Sequence, residues 1–539
     1  MFIESCLKYF HTLKHLKLCQ IYGRVLFRLQ SPAPDLRPAS VPRQLVSSWQ
    51  MPIAKPRSFT APDHFRFLNQ ENCVECPAEW NSPHLDKLWL YNLHYFDDLT
   101  AEAAAERTAL HVALVERWID ENTPGQGNGW EPYPLSLRIV NWLKWGLAGN
   151  NLPDVALQNL AVQIRFLCKR LEYHLLGNHL FANAKALVFG GLFFEGVEAD
   201  GWLDKGWRIL AQQLSEQVLA DGGHFERSPM YHAIILEDLL DLINILNSYG
   251  KQAPVGWIET AQRMLGWFAV MQHPDGEIVL FNDSAFGIAA RPEKLFDYAQ
   301  RLGVSAKDVC SEGLTHLQET GYVKLQNDQA TVFLDVAPIG PDYLPGHAHA
   351  DTLSFELSLF GRRVIVDSGT SCYGNNDERH RQRGTAAHNT VVINGENSSE
   401  VWSGFRVARR ARPSTLEMGQ DNDILRVACA HDGFSRLKGK PEHRREWTLT
   451  SDSLKVKDSI QGHFKHATGR LYLHPDVKVN SKAERAYLIV DSHRIVIDLQ
   501  GAEMTVVDTT WHPEFGLSIP NKCLQLNFRQ SETTIRFSW

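Results

Sequence analysis

Between residues 84 and 303, apolar positions recur at helical spacing in Ala-, Leu- and Trp-rich segments separated by Gly, Pro and Asn breaks. The pattern predicts helices over 102–121, 135–148, 153–176, 179–195, 202–219, 230–248 and 256–273. Leu236, Leu239, Leu240 and Ile243 fall at i, i+3, i+4 and i+7, which leaves one stripe to bury. Many helices of similar length joined by short breaks predict a bundle or a ring of helical hairpins. Upstream, residues 13–29 read as one amphipathic helix and the Pro-rich stretch 31–56 as an extended arm.

The pattern changes near residue 320. Short β-rich runs then alternate with turn signals, at 322–325, 331–336, 353–360, 364–366, 390–393, 446–449, 454–457, 487–490, 494–499 and 533–537. Asp452-Ser453 and Asp491-Ser492-His493 read as hairpin turns. With no helix-length interval between them, such strands predict antiparallel sheets stacked as a sandwich. The chain therefore divides into an N-terminal helix and arm over 1–60, a helical domain over 61–318 and a β domain over 319–539, with the boundary near 310–325. A cleft where two such domains meet can draw residues from both.

Composition narrows the function. At 539 residues the chain is long enough for two or three domains, and it has no apolar run long enough to span a membrane. A net charge of -7 gives no reason to expect nucleic acid, although a locally basic cleft remains compatible with an acidic ligand. The nine cysteines are odd in number and scattered, so reduced thiols are expected rather than a disulfide framework. Cys73 and Cys76 have CxxC spacing, but no second pair completes a zinc site. Lys8, His11, Lys14, His15 and Lys17 interrupt the start of the chain where a secretory signal would be apolar, which reads as cytoplasmic.

The densest polar constellation follows the change of pattern: Gly346-His347-Ala348-His349-Ala350-Asp351, then Val366-Asp367-Ser368-Gly369, then Ala387-His388-Asn389-Thr390. His347 and His349 are two apart, so in an extended segment both point to one side. Two histidines and a carboxylate on sheet elements suit Zn²⁺, although no HExxH-like signature fixes a geometry, and strand-capping or acid-paired histidines are the alternative. In the helical half, Asn178 and His179 open an apolar helix, where Asn178 is either an N-cap or a functional amide. The Gly-rich loop Asp221–His232 gathers His224, Glu226, Arg227 and Tyr231 ahead of another helix.

Taken together and in this order, these segments resemble the heparinase II/III and alginate lyase superfamily over roughly residues 85–410. The resemblance implies an α+β multidomain protein: an incomplete (α/α) toroid followed by an antiparallel β-sandwich. It also implies a polysaccharide lyase that removes the C5 proton of a uronate and expels the O4-linked sugar. Such a reaction requires a group that neutralises the uronate carboxylate, a base for C5 and an acid for the leaving oxygen. The matching positions are Asn178 for the first task, and Tyr231 with His179 or His347 for the others. Tyr373, in Cys372-Tyr373-Gly374, is a further candidate. Family pattern also implies a structural zinc ion on His349, Asp367 and His388.

The opening segment with Gln20-Ile21-Tyr22-Gly23-Arg24 resembles members found beside bacterial surface-polysaccharide synthesis genes, whereas most degradative relatives are exported. An acidic polysaccharide is the expected partner. Arg379, Arg381 and Arg383 before His388, and Arg406, Arg409, Arg410 and Arg412 after it, suit its anionic groups or form a solvated basic face. Trp130 and Trp402 are candidate sugar platforms. Two other readings compete: a non-catalytic polysaccharide-binding or assembly protein, and a glycoside hydrolase pairing Glu226 with Asp351 or Asp283.

Overall fold

Helix Gly177–Phe193 is apolar nearly all round, and every one of its residues except His179 is buried. In the computed structural model, which describes residues 2–307, 312–482 and 485–539, it is the central helix of the N-terminal half. Helices Pro132–Leu147, Asp154–Cys168, Val197–Gln217 and Pro229–Ser248 pack around it. Glycine permits the closest approach, because a Cβ on Gly191 would lie 2.6 Å from the backbone nitrogen of Leu203. The expected stripe of Leu236, Leu239, Leu240 and Ile243 is wholly buried.

Several element boundaries differ from the periodicity. Residues 13–29 are not one helix: Phe2–Leu13 and Leu18–Leu29 form two helices joined by a turn. The helix expected to reach 176 stops at Cys168, and the backbone NH of Glu172 donates instead to the Asn183 side chain at 2.9 Å. The helix expected from 102 begins at Thr108, after a 3₁₀ turn. Helix Lys87–Tyr95, too short to stand out by period, is capped by the Asp86 carboxylate, which accepts from the NH groups of Leu88 and Trp89. A three-stranded sheet spans Phe59–Cys73, across the expected division at residue 60. The arm at 31–56 is extended and is pinned by its backbone, with Arg43 NH to Phe193 O at 2.6 Å and Val46 NH to Ser248 O at 3.0 Å.

In the second half of the chain strand pairing begins at Gly313–Leu317, which joins Tyr322–Gln326. The β half thus starts before residue 319, and the first two residues of the expected boundary, 310–311, lie outside the described residues. Five sequential antiparallel strands from Gly313–Leu317 to Arg362–Ile365 form one sheet. An eight-stranded sheet follows, in which Glu532–Ser538 inserts between Ser453–Gln461 and His493–Gln500. A four-stranded sheet is built on Ala502–Trp511 and Ile519–Phe528. Val332, Trp447, Leu471 and Leu524, from all three sheets, share one apolar core.

Buried polar contacts lock the halves together. The Glu356 carboxylate, on the five-stranded sheet, accepts from Leu280 NH at 2.7 Å and bonds His273 Nε2 at 3.0 Å, and Arg363 Nη1 lies 3.4 Å away. Arg227 donates through Nε to Thr320 O at 2.8 Å, and Trp267 donates to the Thr320 hydroxyl at 3.0 Å. Removing one partner of a buried charged network leaves the others unsatisfied. Glu356→Ala is therefore expected to lower stability by roughly 3–5 kcal/mol, read as a reduced denaturation midpoint by tryptophan fluorescence. Glu356→Gln should recover part of the loss.

Candidate active site

Gly177 begins the central helix in left-handed backbone, at φ 56°, and a Cβ there would meet Leu344 Cδ2 at 2.5 Å and Glu226 Oε1 at 3.2 Å. Only glycine fits, and the close approach sets the first helical turn against the β half. Asn178 is inside that turn and does not cap it. Its side chain instead hydrogen-bonds the Tyr133 hydroxyl, and His179 stacks on the Tyr133 ring at 4.5 Å while its Nδ1 meets Glu172 at 3.1 Å.

Ser228 caps the next important helix, accepting from Tyr231 NH at 3.2 Å, with Pro229 at the first helical position. Tyr231 is consequently held at the mouth of its helix. Its hydroxyl lies 3.0 Å from that of Tyr373, and its ring lies 4.0 Å from His347. Asn178, His179, Glu226, Tyr231, His347 and Tyr373 all line one cleft of about 1120 Å³ between the halves.

Beneath them is the buried carboxylate of Asp283. It accepts from His347 Nδ1 and His349 Nε2, each at 2.8 Å, and from both terminal nitrogens of Arg379. Burial alone would push Asp283 up, but Arg379 and the two imidazoles outweigh it and hold the carboxyl well below the usual range. His347 is lowered by burial despite Asp283, so it is neutral, with Nδ1–H directed at Asp283 and Nε2 free to accept. His347 and His349 do reach the same side, as their spacing implies, although their segment is a loop rather than a strand.

Glu226 is 1% exposed, and neither of its carboxylate oxygens has a hydrogen-bond partner; His347 Nε2 is 3.8 Å away. Burial, helped by the Asp283 charge, pushes Glu226 up to about 8, so it is a neutral acid at pH 7. Burial likewise raises Tyr231 and Tyr373 well above the ordinary phenol range. The cleft can thus present an amide, a protonated carboxyl, two phenols and one accepting imidazole to an anionic ligand.

The possible metal centre lies deeper. His349 Nδ1 and His388 Nε2 are buried without a hydrogen-bond partner, and they lie with a carboxylate oxygen of Asp351 within 4.8 Å of one another. Asp367, expected as the third ligand, is placed behind His388, bonding Nδ1 at 2.7 Å and so turning Nε2 inward. Asp351 takes its place in the cluster. Each imidazole has a carboxylate on its other nitrogen, an arrangement that fits a divalent ion such as zinc.

Other expectations are corrected by burial. Trp130 is a core residue between Trp118 and Phe166, not a sugar platform. His224 is fully buried and bonds Gln217 at 3.1 Å. Arg227 clamps the two halves, and Arg383 is buried with its guanidinium on Ala348 O, so neither lines the cleft. Trp402 packs on Tyr9. Arg406 does line the cleft, joined by Arg24 and Arg66. Lys144 and Lys185 at the far end are paired with Asp241 and are not free for a substrate anion. The hydrolase pairing finds no free carboxylate at Asp283, which is saturated by Arg379 and two histidines, while Asp351 lies beside His349 and His388 in a group that could hold a metal ion. The eight described cysteines are free, including Cys73 and Cys76, and Cys310 lies outside the described residues.

Tyr133 and the anchoring roles of Asp283 and Arg379 escaped the sequence reading. Asp283 lies in a polar Asn-Asp-Ser triplet after the apolar run 278–281, a weak signal for a buried site.

Two family models match the chain: "Heparinase II/III N-terminus" over residues 124–301 and "Heparinase II/III-like, C-terminal" over 311–539. A heparin-sulfate lyase of Bacteroides stercoris is 28% identical over 59% of this chain and 48% of its own length. The FtsZ-localized protein C of Caulobacter vibrioides is 25% identical over 75% of this chain and 72% of its own. The chain spans about half the length of the Bacteroides stercoris lyase it matches. Among solved structures, heparinase III superposes with a TM-score of 0.67 at 17% identity, covering 87% of this chain and 79% of that one. At that identity the likeness shows the fold, an α+β multidomain architecture of helices and antiparallel sheets.

The raised Glu226 makes stability pH-dependent. A carboxyl that titrates near 8 when folded and near 4.5 when unfolded binds more protons in the folded state between those values. Its contribution is present below about 4.5 and is lost as pH rises through about 8. Glu226→Gln should flatten that part of the melting temperature against pH, measured by scanning calorimetry.

Proposed function

Because the chain belongs to the heparinase II/III-like family, we propose that it is a polysaccharide lyase cleaving a uronate-containing acidic polysaccharide by β-elimination. The observation that carries this reading is the convergence in one interdomain cleft of Asn178, Tyr231, His347 and Tyr373, with two phenol oxygens 3.0 Å apart beside an accepting imidazole. In this reading the helical half is an incomplete (α/α) toroid and the strand half an antiparallel β-sandwich, supported by the helices packed around Gly177–Phe193 and by the apolar core shared among three sheets.

The uronate carboxylate is received by the Asn178 amide and the protonated Glu226, both hydrogen-bond donors, so that charge arriving on it as C5 loses its proton is dispersed. His347 Nε2 is the base, because the Asp283 bond places the imidazole proton on Nδ1. Tyr231, kept protonated by burial, delivers its proton to the leaving O4 oxygen and is reprotonated by the proton that His347 took from C5, the two rings lying 4.0 Å apart, while Tyr373 orients that hydroxyl. His179 and Arg406 contact the flanking sugars. Link to a bacterial surface polysaccharide is part of the proposal and rests on the Gln20–Arg24 resemblance.

Zinc, held by His349, Asp351 and His388 with Asp367 behind, would supply a fixed positive charge that ties the strand segments under the cleft. Purified protein is expected to carry near-stoichiometric zinc by elemental analysis, and His388→Ala to lose the metal together with thermal stability. Unchanged metal content in that variant would refute the assignment.

Elimination leaves an unsaturated uronate with new ultraviolet absorbance. Screening acidic polysaccharides for that absorbance tests the activity, and Tyr231→Phe is expected to reduce kcat by about 10²–10⁴-fold with binding retained. Binding with no product from the unaltered protein would favour a non-catalytic carbohydrate-binding role instead.

A further inference from the structure

Helix Leu18–Leu29 is oriented the opposite way from a normal surface helix. Leu18, Ile21, Tyr22, Val25, Leu26 and Leu29 form one i, i+3, i+4 stripe, and all six are exposed, Leu18 and Leu29 by more than three quarters. The inward face carries Gln20, which donates to Tyr343 O at 3.2 Å, and Phe27, stacked on His174 at 4.2 Å. Helix Phe2–Leu13 adds exposed Leu7, Tyr9, Phe10 and Leu13. Ten of the twenty-four large exposed apolar side chains among the described residues thus fall within 7–29. A patch of this kind marks an interaction surface.

Charge identifies the occupant. No acidic residue occurs between Glu4 and Asp35 in a chain whose net charge is -7; of the five cations in that interval Lys17 is paired with Glu216 and Arg24 lines the cleft, which leaves Lys8, Lys14 and Arg28 for an external anion. A second copy would bring the same cations against these and is disfavoured. An anionic lipid surface offers both what the stripe and what the cations require: an apolar layer beneath a negative headgroup plane.

We propose that the N-terminal helix pair docks the protein on an anionic membrane surface through the Leu18–Leu29 stripe. The opposite side of the pair roofs the cleft: Thr12, Leu16, Gln20 and Arg24 line it. Bridging contacts run to both halves, from Lys17 to Glu216 in the helical half and from Thr12 to Trp402 in the β half, the latter at 3.2 Å. Docking therefore holds the cleft roof next to the headgroup layer. This inference is independent of the lyase reading, since vesicle binding requires no turnover.

The test is flotation of the full chain with vesicles of phosphatidylcholine alone and of phosphatidylcholine with phosphatidylglycerol. Binding to the anionic vesicles, weakened by salt, is expected. Ile21→Asp/Val25→Asp should reduce the bound fraction by about tenfold or more, with circular dichroism and melting temperature unchanged because both sites are exposed. Lys14→Glu/Arg28→Glu should weaken it as well, and emission from Tyr22→Trp should shift to the blue on vesicles. Absence of binding to anionic vesicles overturns the proposal. So does binding that both double variants retain, or a solution dimer that Ile21→Asp dissolves while vesicles capture nothing.

Discussion

A single buried carboxylate organises the centre of this molecule. Asp283 receives Arg379 through both terminal nitrogens, His347 through Nδ1 and His349 through Nε2, and its backbone carbonyl accepts the Ser228 hydroxyl that caps the helix bearing Tyr231. An ionised carboxylate away from water is tolerated only when its oxygens are saturated with donors, and here each donor is also part of the site. The imidazole of His347 beside the phenols, the imidazole of His349 in the candidate metal site and the guanidinium over the Tyr373 ring are therefore held by one anchor.

That anchor also sets the electrostatics of the cleft. Its charge lies close to Glu226 and the two phenols in a region from which water is largely excluded, so burial and Asp283 together keep these three groups protonated. The result is a charged foundation under a neutral reactive surface. Such a surface can accept an anion without first losing an ion pair of its own, whereas the lysines at the far end of the cleft are already committed to carboxylates.

The arginines that line the cleft come from unexpected places. Arg383, which sequence proximity to His388 would place in the site, is spent on a backbone carbonyl. Arg24 and Arg66 enter from the N-terminal helix pair and the small three-stranded sheet, both of which fold back over the cleft. The same helix pair carries its apolar stripe outward, so the element that lines one side of the cleft also holds ten of the twenty-four large exposed apolar side chains among the described residues.

Much of this was legible in the residue pattern. The helical stripe at 236–243 and the switch to strand grammar near 320 follow from spacing, because periodicity records which side of an element is buried, whereas the grouping of Asn178, Tyr231, His347 and Tyr373 comes from the ordered resemblance to a lyase family. Trp130, His224, Arg227 and Arg383 show the limit: the residue types suit a ligand, but only packing decides whether a side chain meets a cleft or a core. The same limit explains why Asp351 rather than Asp367 lies with His349 and His388 in the candidate metal site, since Asp367 is already engaged by His388 Nδ1. The chain's sequence by itself determined the two-part architecture and the chemical vocabulary of the site. Tertiary structure alone decided the grammar, because Asp283, Arg379 and His347, scattered over nearly a hundred residues, become one unit only when the halves close and water leaves.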